Sequence, residues 1–218
     1  MHDGQAFADQ MERDISSTYQ RLGYALGWRL LYSPLEVLNG AEVALLGINP
    51  GGNWDDPAHG RMSMARGSAY VVESWEGAAR GQSKLQVQVR ALCRMLNQAP
   101  EVVLAGNLVP FRSPNWDMLD HRSVATTFGK QLWSSILDRA NPKLVVCLGR
   151  ETFEALVGKR AASSAESVPV GWGNYDANRC QIGDRVFVRL PHLSRFGIMT
   201  RAISAQPLKE IFRGFISG

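Results

Sequence analysis

The stretch Val43-Ala44-Leu45-Leu46-Gly47-Ile48-Asn49-Pro50-Gly51 decides the fold. Its first residues form a short, unbroken apolar run, the pattern of a strand buried on both faces of a parallel sheet. A Gly-, Asn- and Pro-containing turn follows at once and ends the strand. Such a turn brings backbone and one short polar side chain, Asn49, to the carboxyl edge of a sheet, where open α/β sheets bind their ligands.

Three further apolar runs end the same way. Val102–Ala105 leads into Gly106-Asn107-Leu108, Leu144–Leu148 into Gly149-Arg150, and Val186–Leu190 into Pro191-His192-Leu193-Ser194. Helical spacing lies between them. Lys84–Gln98 carries Leu85, Val89, Leu92, Cys93 and Leu96, with Ser83 as N-cap, and Thr126–Ala140 is a second helix that Asn141-Pro142 ends. Helices are also expected over Phe7–Leu22, Glu151–Val157 and Pro207–Ile216. Gly51–Gly81 reads as one long loop, and Arg160–Asn178 as a loop with a hairpin as the alternative. Strands alternating with helices predict a three-layer α/β/α sandwich around a mostly parallel four-stranded sheet, forming one domain over residues 1–218. All strand ends then share one edge, so the loops at Gly47, Gly106, Gly149 and Pro191 converge.

Bulk properties narrow the functional classes. The chain has 218 residues, 45% hydrophobic and 20% charged, with a net charge of +4. It holds no apolar run of membrane-spanning length and no secretion-type start, so a cytoplasmic protein with no membrane partner is expected. The mild positive charge is compatible with a phosphate-bearing partner. Cys93, Cys147 and Cys180 are widely spaced, with no C-x-x-C, which argues against a disulfide framework or a metal site. There is no G-x-S-x-G elbow and no phosphate-binding G-x-x-x-x-G-K-[ST].

The converging loops offer two amides, an imidazole and a hydroxyl: Asn49, Asn107, His192 and Ser194. Such a set suits a reaction in which the protein positions water and stabilises charge. Hydrolysis of a nucleoside N-glycosidic bond is one. Positive charge develops on the sugar and negative charge on the departing base, where a well-aimed donor such as His192 contributes roughly 3–4 kcal/mol. Asn49 would orient the water, and Asn107 would read a pyrimidine edge through its paired donor and acceptor. Taken singly, Asn49 reads as an ordinary turn residue, and the four converging loops favour function; for His192 the alternative is a satisfied semi-buried histidine, and its place after proline at the end of a core strand favours function.

On these residues the chain resembles the uracil-DNA glycosylase superfamily, nearest its mismatch-specific uracil/thymine branch and its single-strand-selective branch. Gly47-Ile48-Asn49-Pro50-Gly51 is similar to the first family motif, Asn107 to the base-reading Asn, and Pro191-His192-Leu193-Ser194 to the closing His-Pro-Ser motif. The likeness runs from about Val43 to Ile198. It implies a monofunctional DNA glycosylase, acting without cofactor or metal as a monomer on single- or double-stranded DNA. The enzyme would flip a pyrimidine out of the helix and leave an abasic site, in base-excision repair or antiviral defence, in a bacterial or phage setting. Catalysis would fall to Asn49 and His192. Gly47, Ile48, Pro50, Gly51, Tyr70 and Asn107 would line the base site, with Trp54 as a second stacking candidate. Ser194, Arg195, Phe196 and Arg150 would contact DNA.

Three positions depart from the family pattern, and the last of them shapes the substrate. Leu193 stands where the family has proline, and Arg195 where a second proline is common. Gly51 stands where uracil-strict members carry a blocking aromatic ring. The expected substrate is therefore uracil or a C5-modified pyrimidine. One alternative is an antiphage glycosylase removing a bulky modified cytosine. Others are a non-catalytic nucleic-acid-binding module and a small-molecule nucleosidase.

Overall fold

The computed structural model describes residues 2–54 and 59–216. Its centre is a six-stranded sheet, ordered β2 (Leu104–Asn107), β1 (Val43–Gly47), β3 (Leu144–Leu148), β6 (Arg185–Leu190), β5 (Tyr175–Ile182), β4 (Glu166–Trp172). Four strands are parallel: β1, β2, β3 and β6. These are the four apolar runs of the sequence. β1 and β3 are buried along their whole length, as strands covered on both faces must be.

Two strands were not expected. β4 (Glu166–Trp172) and β5 (Tyr175–Ile182) form an antiparallel hairpin that extends the sheet beyond β6, so the sheet has six strands and not four. The reason is exposure. β4 has one regularly buried position in two, and most of β5 is exposed or half-buried, so neither carries the apolar density of a central strand. Polar residues therefore disguise the hairpin as loop.

Helices cover both faces, as a three-layer sandwich requires. One face packs α1 (His2–Arg21), α4 (Arg122–Ala140) and α5 (Arg150–Val157) on Ala44, Leu46, Val145 and Cys147. The other packs α3 (Lys84–Met95) and α7 (Ala205–Ile211) on Leu45, Val146, Val188 and Leu190. α2 (Ala69–Val72) and α6 (Lys159–Ser163) are single-turn pieces. The Ser83 cap of α3 is a full capping box: Ser83 N–H donates to Gln86 Oε1 at 3.0 Å, and Gln86 N–H to Ser83 Oγ at 3.4 Å. α4 begins four residues before the expected Thr126, and α7 stops at Ile211 instead of Ile216. β2 starts two residues later than expected because Pro100–Val102 is a 3-10 turn, and Asn107 is the last residue of the strand itself.

The stretch expected to be a long loop is partly ordered by its neighbours. Asp55–Ala58 lie outside the described residues. Beyond them, Arg61 and Met62 carbonyls accept from Leu30 and Leu31 N–H, and Ala69 N–H donates to Tyr32 O at 2.9 Å. Ser68 caps α2. The segment Trp28–Ser33 in turn lies along the outer edge of β2, bridging Leu31 to Gly106 and donating Tyr32 N–H to Ala105 O at 2.8 Å. It satisfies the open backbone groups of that edge.

Candidate functional site

The parallel register places the four loop starts on one rim, in the order Asn107, Asn49, Gly149-Arg150, His192. The convergence expected from sequence is therefore present. Asn107 and Asn49 extend from neighbouring strands. Two strand spacings, roughly 10 Å, separate the strand carrying Asn49 from the one carrying His192. That interval is on the scale of a nucleoside.

Asn49 is held in one orientation. Its Nδ2 donates to Ser113 Oγ at 2.8 Å, Pro50 O at 3.1 Å and Phe111 O at 3.4 Å. Two of these acceptors are carbonyls, which can only face the amide nitrogen, so the amide cannot be flipped. Ser113 Oγ spends its own proton on Asn115 O at 2.8 Å, consistent with accepting from Asn49. Asn49 Oδ1 carries no hydrogen bond among the described residues and is the acceptor left for water. Ser113 reaches this place because Phe111–Ser113 runs beside Pro50-Gly51, with Ser113 N–H on Pro50 O at 3.2 Å.

Asn107 is buried, at 6% exposure. Its side-chain carbonyl packs over Gly47 in the place a Cβ there would take, so any larger residue at 47 has to move the Asn107 amide. Its Nδ2 donates to Tyr32 Oη at 2.8 Å, and its backbone carbonyl accepts from Trp133 Nε1 at 2.7 Å. Tyr32 takes one of the two Nδ2 protons, which leaves the second N–H and Oδ1 without a hydrogen bond among the described residues. Behind Tyr32 stands a closed aromatic group: its ring lies 5.6 Å from Tyr70 and 5.8 Å from Trp75, with the Arg29 guanidinium 4.4 Å from its centroid. Arg29 is bidentate to Glu73 at 2.7 and 2.9 Å, both nearly fully buried, and Trp75 Nε1 donates to the same carboxylate.

This arrangement bears on two stacking candidates. Tyr70 is only 4% exposed and its ring is spent on Tyr32 and Trp75. Trp54 is 68% exposed. A side chain at Gly51 would meet nothing within 4 Å, whereas the space over Gly52 is taken by Arg112, whose Nη1 donates to Gly51 O at 2.5 Å. Among the described residues the space over Gly51 is open, and Arg112 borders it.

At the other end of the rim, Ser194 N–H donates to His192 Nδ1 at 3.3 Å, and Ser194 Oγ lies 2.8 Å from the same atom. A backbone N–H can only donate, so Nδ1 is the acceptor and the neutral ring carries its proton on Nε2. Burial pushes the His192 pKa below its ordinary value. Arg195 adds to this, and Glu151 opposes it. His192 is thus a neutral Nε2–H donor at pH 7. Ser194, expected to grip a phosphate, has its hydroxyl on His192. Arg195 and Phe196 N–H both donate to His192 O, at 2.9 and 3.1 Å, closing a turn over it. Leu193 is fully buried in the core on the α3 and α7 side. Arg150 is exposed at the start of α5, with Nε on Glu154 Oε1 at 2.5 Å.

Sequence reasoning missed Tyr32, Arg29, Glu73 and Ser113. All four act through partners distant in sequence, and no local pattern marks them; only Ser113, two residues from Phe111, lies near a motif. Among the described residues no cluster of His, Cys, Asp and Glu could hold a metal ion. No described helix is long and apolar enough to cross a membrane. No model of a known protein family and no curated protein matches this chain.

Proposed function

We propose that the chain is a monofunctional DNA glycosylase of the uracil-DNA glycosylase type. It hydrolyses the N-glycosidic bond of a flipped uracil or C5-modified pyrimidine and leaves an abasic site. The observation that carries this reading is the orientation of Asn49. Three acceptors fix its nitrogen, and its carbonyl oxygen remains as a preset water site on the rim.

In this reading water, held by Asn49 Oδ1, adds to the sugar carbon as the carbon–nitrogen bond breaks. The bond electrons leave with the base, and His192 Nε2–H donates to a base oxygen as negative charge gathers there. The water proton passes to solvent or to the departing base. A neutral Nε2–H donates this hydrogen bond and keeps its proton. The opening over Gly51 supports a substrate with a C5 substituent.

The test is incubation with oligonucleotides carrying uracil, thymine opposite guanine, or C5-modified cytosines. Alkaline cleavage then reveals abasic sites, and mass spectrometry detects the freed base. Release from at least one DNA substrate is expected, with about 10²-fold loss or more in Asn49→Ala and in His192→Ala. Absence of free base from every DNA substrate overturns the reading. Release from free nucleosides alone replaces it with a small-molecule nucleosidase.

A further inference from the structure

The β4–β5 hairpin takes no part in the reaction above, yet its tip stands at the rim. The pair of β5 with β6 nearest the rim is Asn178 with Arg189. Beyond that pair, on the rim side, lie Tyr175, three residues back along β5, and His192, three residues on from Arg189. The contacts agree. The Tyr175 ring lies 4.3 Å from that of Phe196, whose N–H is bonded to the His192 carbonyl. Trp172, paired across the hairpin with Tyr175, meets Phe196 edge-on at 6.0 Å.

The turn itself needs only Gly173-Asn174, with Gly173 at φ +53°. Large rings on both sides of it are more than closure requires. Tyr175 is 50% exposed, so half of a large aromatic surface is left to solvent beside a candidate active histidine. Two exposed arginines, Arg195 and Arg201, stand on this side, and neither makes an ion pair among the described residues. Arg201 lies 4.4 Å from the Trp172 ring centroid and donates to Gly171 O at 3.1 Å, bracing the tip. Asp176, next in sequence, points to the opposite face of the sheet, where Ser167 Oγ bonds it at 2.8 Å.

Exposed aromatic rings with flanking arginines are what proteins use to stack successive bases of a single strand while holding its phosphates. We propose that Tyr175, backed by Phe196, is a stacking platform for an unpaired nucleobase flanking the one that enters the site. The chain then engages nucleic acid single-stranded on the His192 side. This rests on the nucleic-acid part of the function proposed above, not on base release.

The test is fluorescence anisotropy at fixed low salt, with a labelled single-stranded oligonucleotide of about a dozen nucleotides and its fully paired duplex. Wild type, Tyr175→Ala and Tyr175→Phe are compared; the half-exposed position makes both variants benign for folding. Tyr175→Ala weakens single-strand binding roughly ten-fold and leaves duplex binding unchanged, while Tyr175→Phe keeps both. Equal weakening on both substrates, no weakening on the single strand, or no single-strand binding by wild type overturns the platform. Because the readout is binding, a chain that releases no base but shows this Tyr175 dependence keeps the platform and loses only the glycosylase reading.

Discussion

The two ends of the parallel rim are built by opposite means. At the β2–β1 end, Asn107 and Asn49 are held by side chains that are themselves held: Tyr32, Trp133 and Ser113, with the Arg29–Glu73 pair behind them. At the β6 end, His192 is fixed by its own turn, through Ser194, Arg195 and Phe196, and the neighbouring rings are half in solvent. The first end is a preset frame, in which side chains from distant parts of the chain fix the two amides before a ligand arrives. The second is a local turn beside an open surface, in which a ligand adds contacts. One end is suited to selecting, the other to accommodating.

The sharpest way to break this contrast is Glu73→Ala. It leaves the Arg29 guanidinium buried without its carboxylate and removes the Trp75 partner. A loss of about 3–5 kcal/mol is expected in chemical denaturation, because breaking a buried pair strands a charge. Tyr175→Ala at the other end is expected to cost no more than about 1 kcal/mol. Comparable costs at the two ends would end the distinction.

A smaller test stays within the motif. Gly47→Ala drives a methyl group into the Asn107 side chain and is expected to cost about 1–3 kcal/mol, as overpacking does, with loss of whatever binding depends on Asn107. Gly51→Ala, four residues on, meets open space and is expected to lie within about 0.5 kcal/mol of wild type. The pair separates a glycine under the Asn107 amide from one that leaves room.

How far sequence could see follows from the same contrast. The four parallel strands, the α3 cap and the shared rim were legible, because apolar runs and capping residues act over a few positions. Asn49 and His192 were legible as polar residues just past buried strands. The frame behind Asn107 was not, because Tyr32 is seventy-five residues away in the chain and joins the site only by covering the β2 edge. The hairpin was missed because exposed strands carry little apolar signal. Tyr70 was misjudged because a lone aromatic in a polar stretch gives no hint that Tyr32 and Trp75 will enclose it.

His192 offers a finer test. Nitrogen NMR at pH 7 is expected to show Nε2 protonated and Nδ1 bare, and Ser194→Ala to weaken that tautomer preference. Its folded pKa lies below the unfolded value near 6.5. Below that value the unfolded chain takes up the proton first, so His192 contributes stability above about pH 6.5 that is lost as pH falls toward its folded pKa. His192→Gln removes this part of the slope. An unchanged slope would mean that the ring is as accessible as in the unfolded chain.

The three cysteines give the smallest effect and divide the sheet along the same line. Cys93 is buried against the β2–β1 end and pushed up to about 12 by burial; Cys147, the last residue but one of β3, is also raised by burial. Neither offers a thiolate at pH 8 in the folded chain, so both should label only on global opening. Cys180 lies on β5, half-buried, with its pKa raised by burial alone. If the hairpin is an extension that opens apart from the parallel sheet, Cys180 labels first, at a rate insensitive to mild denaturant, while Cys93 and Cys147 follow global stability. If all three label together, the hairpin is part of the frame, and the open end of the rim is as firmly tied to the core as the other.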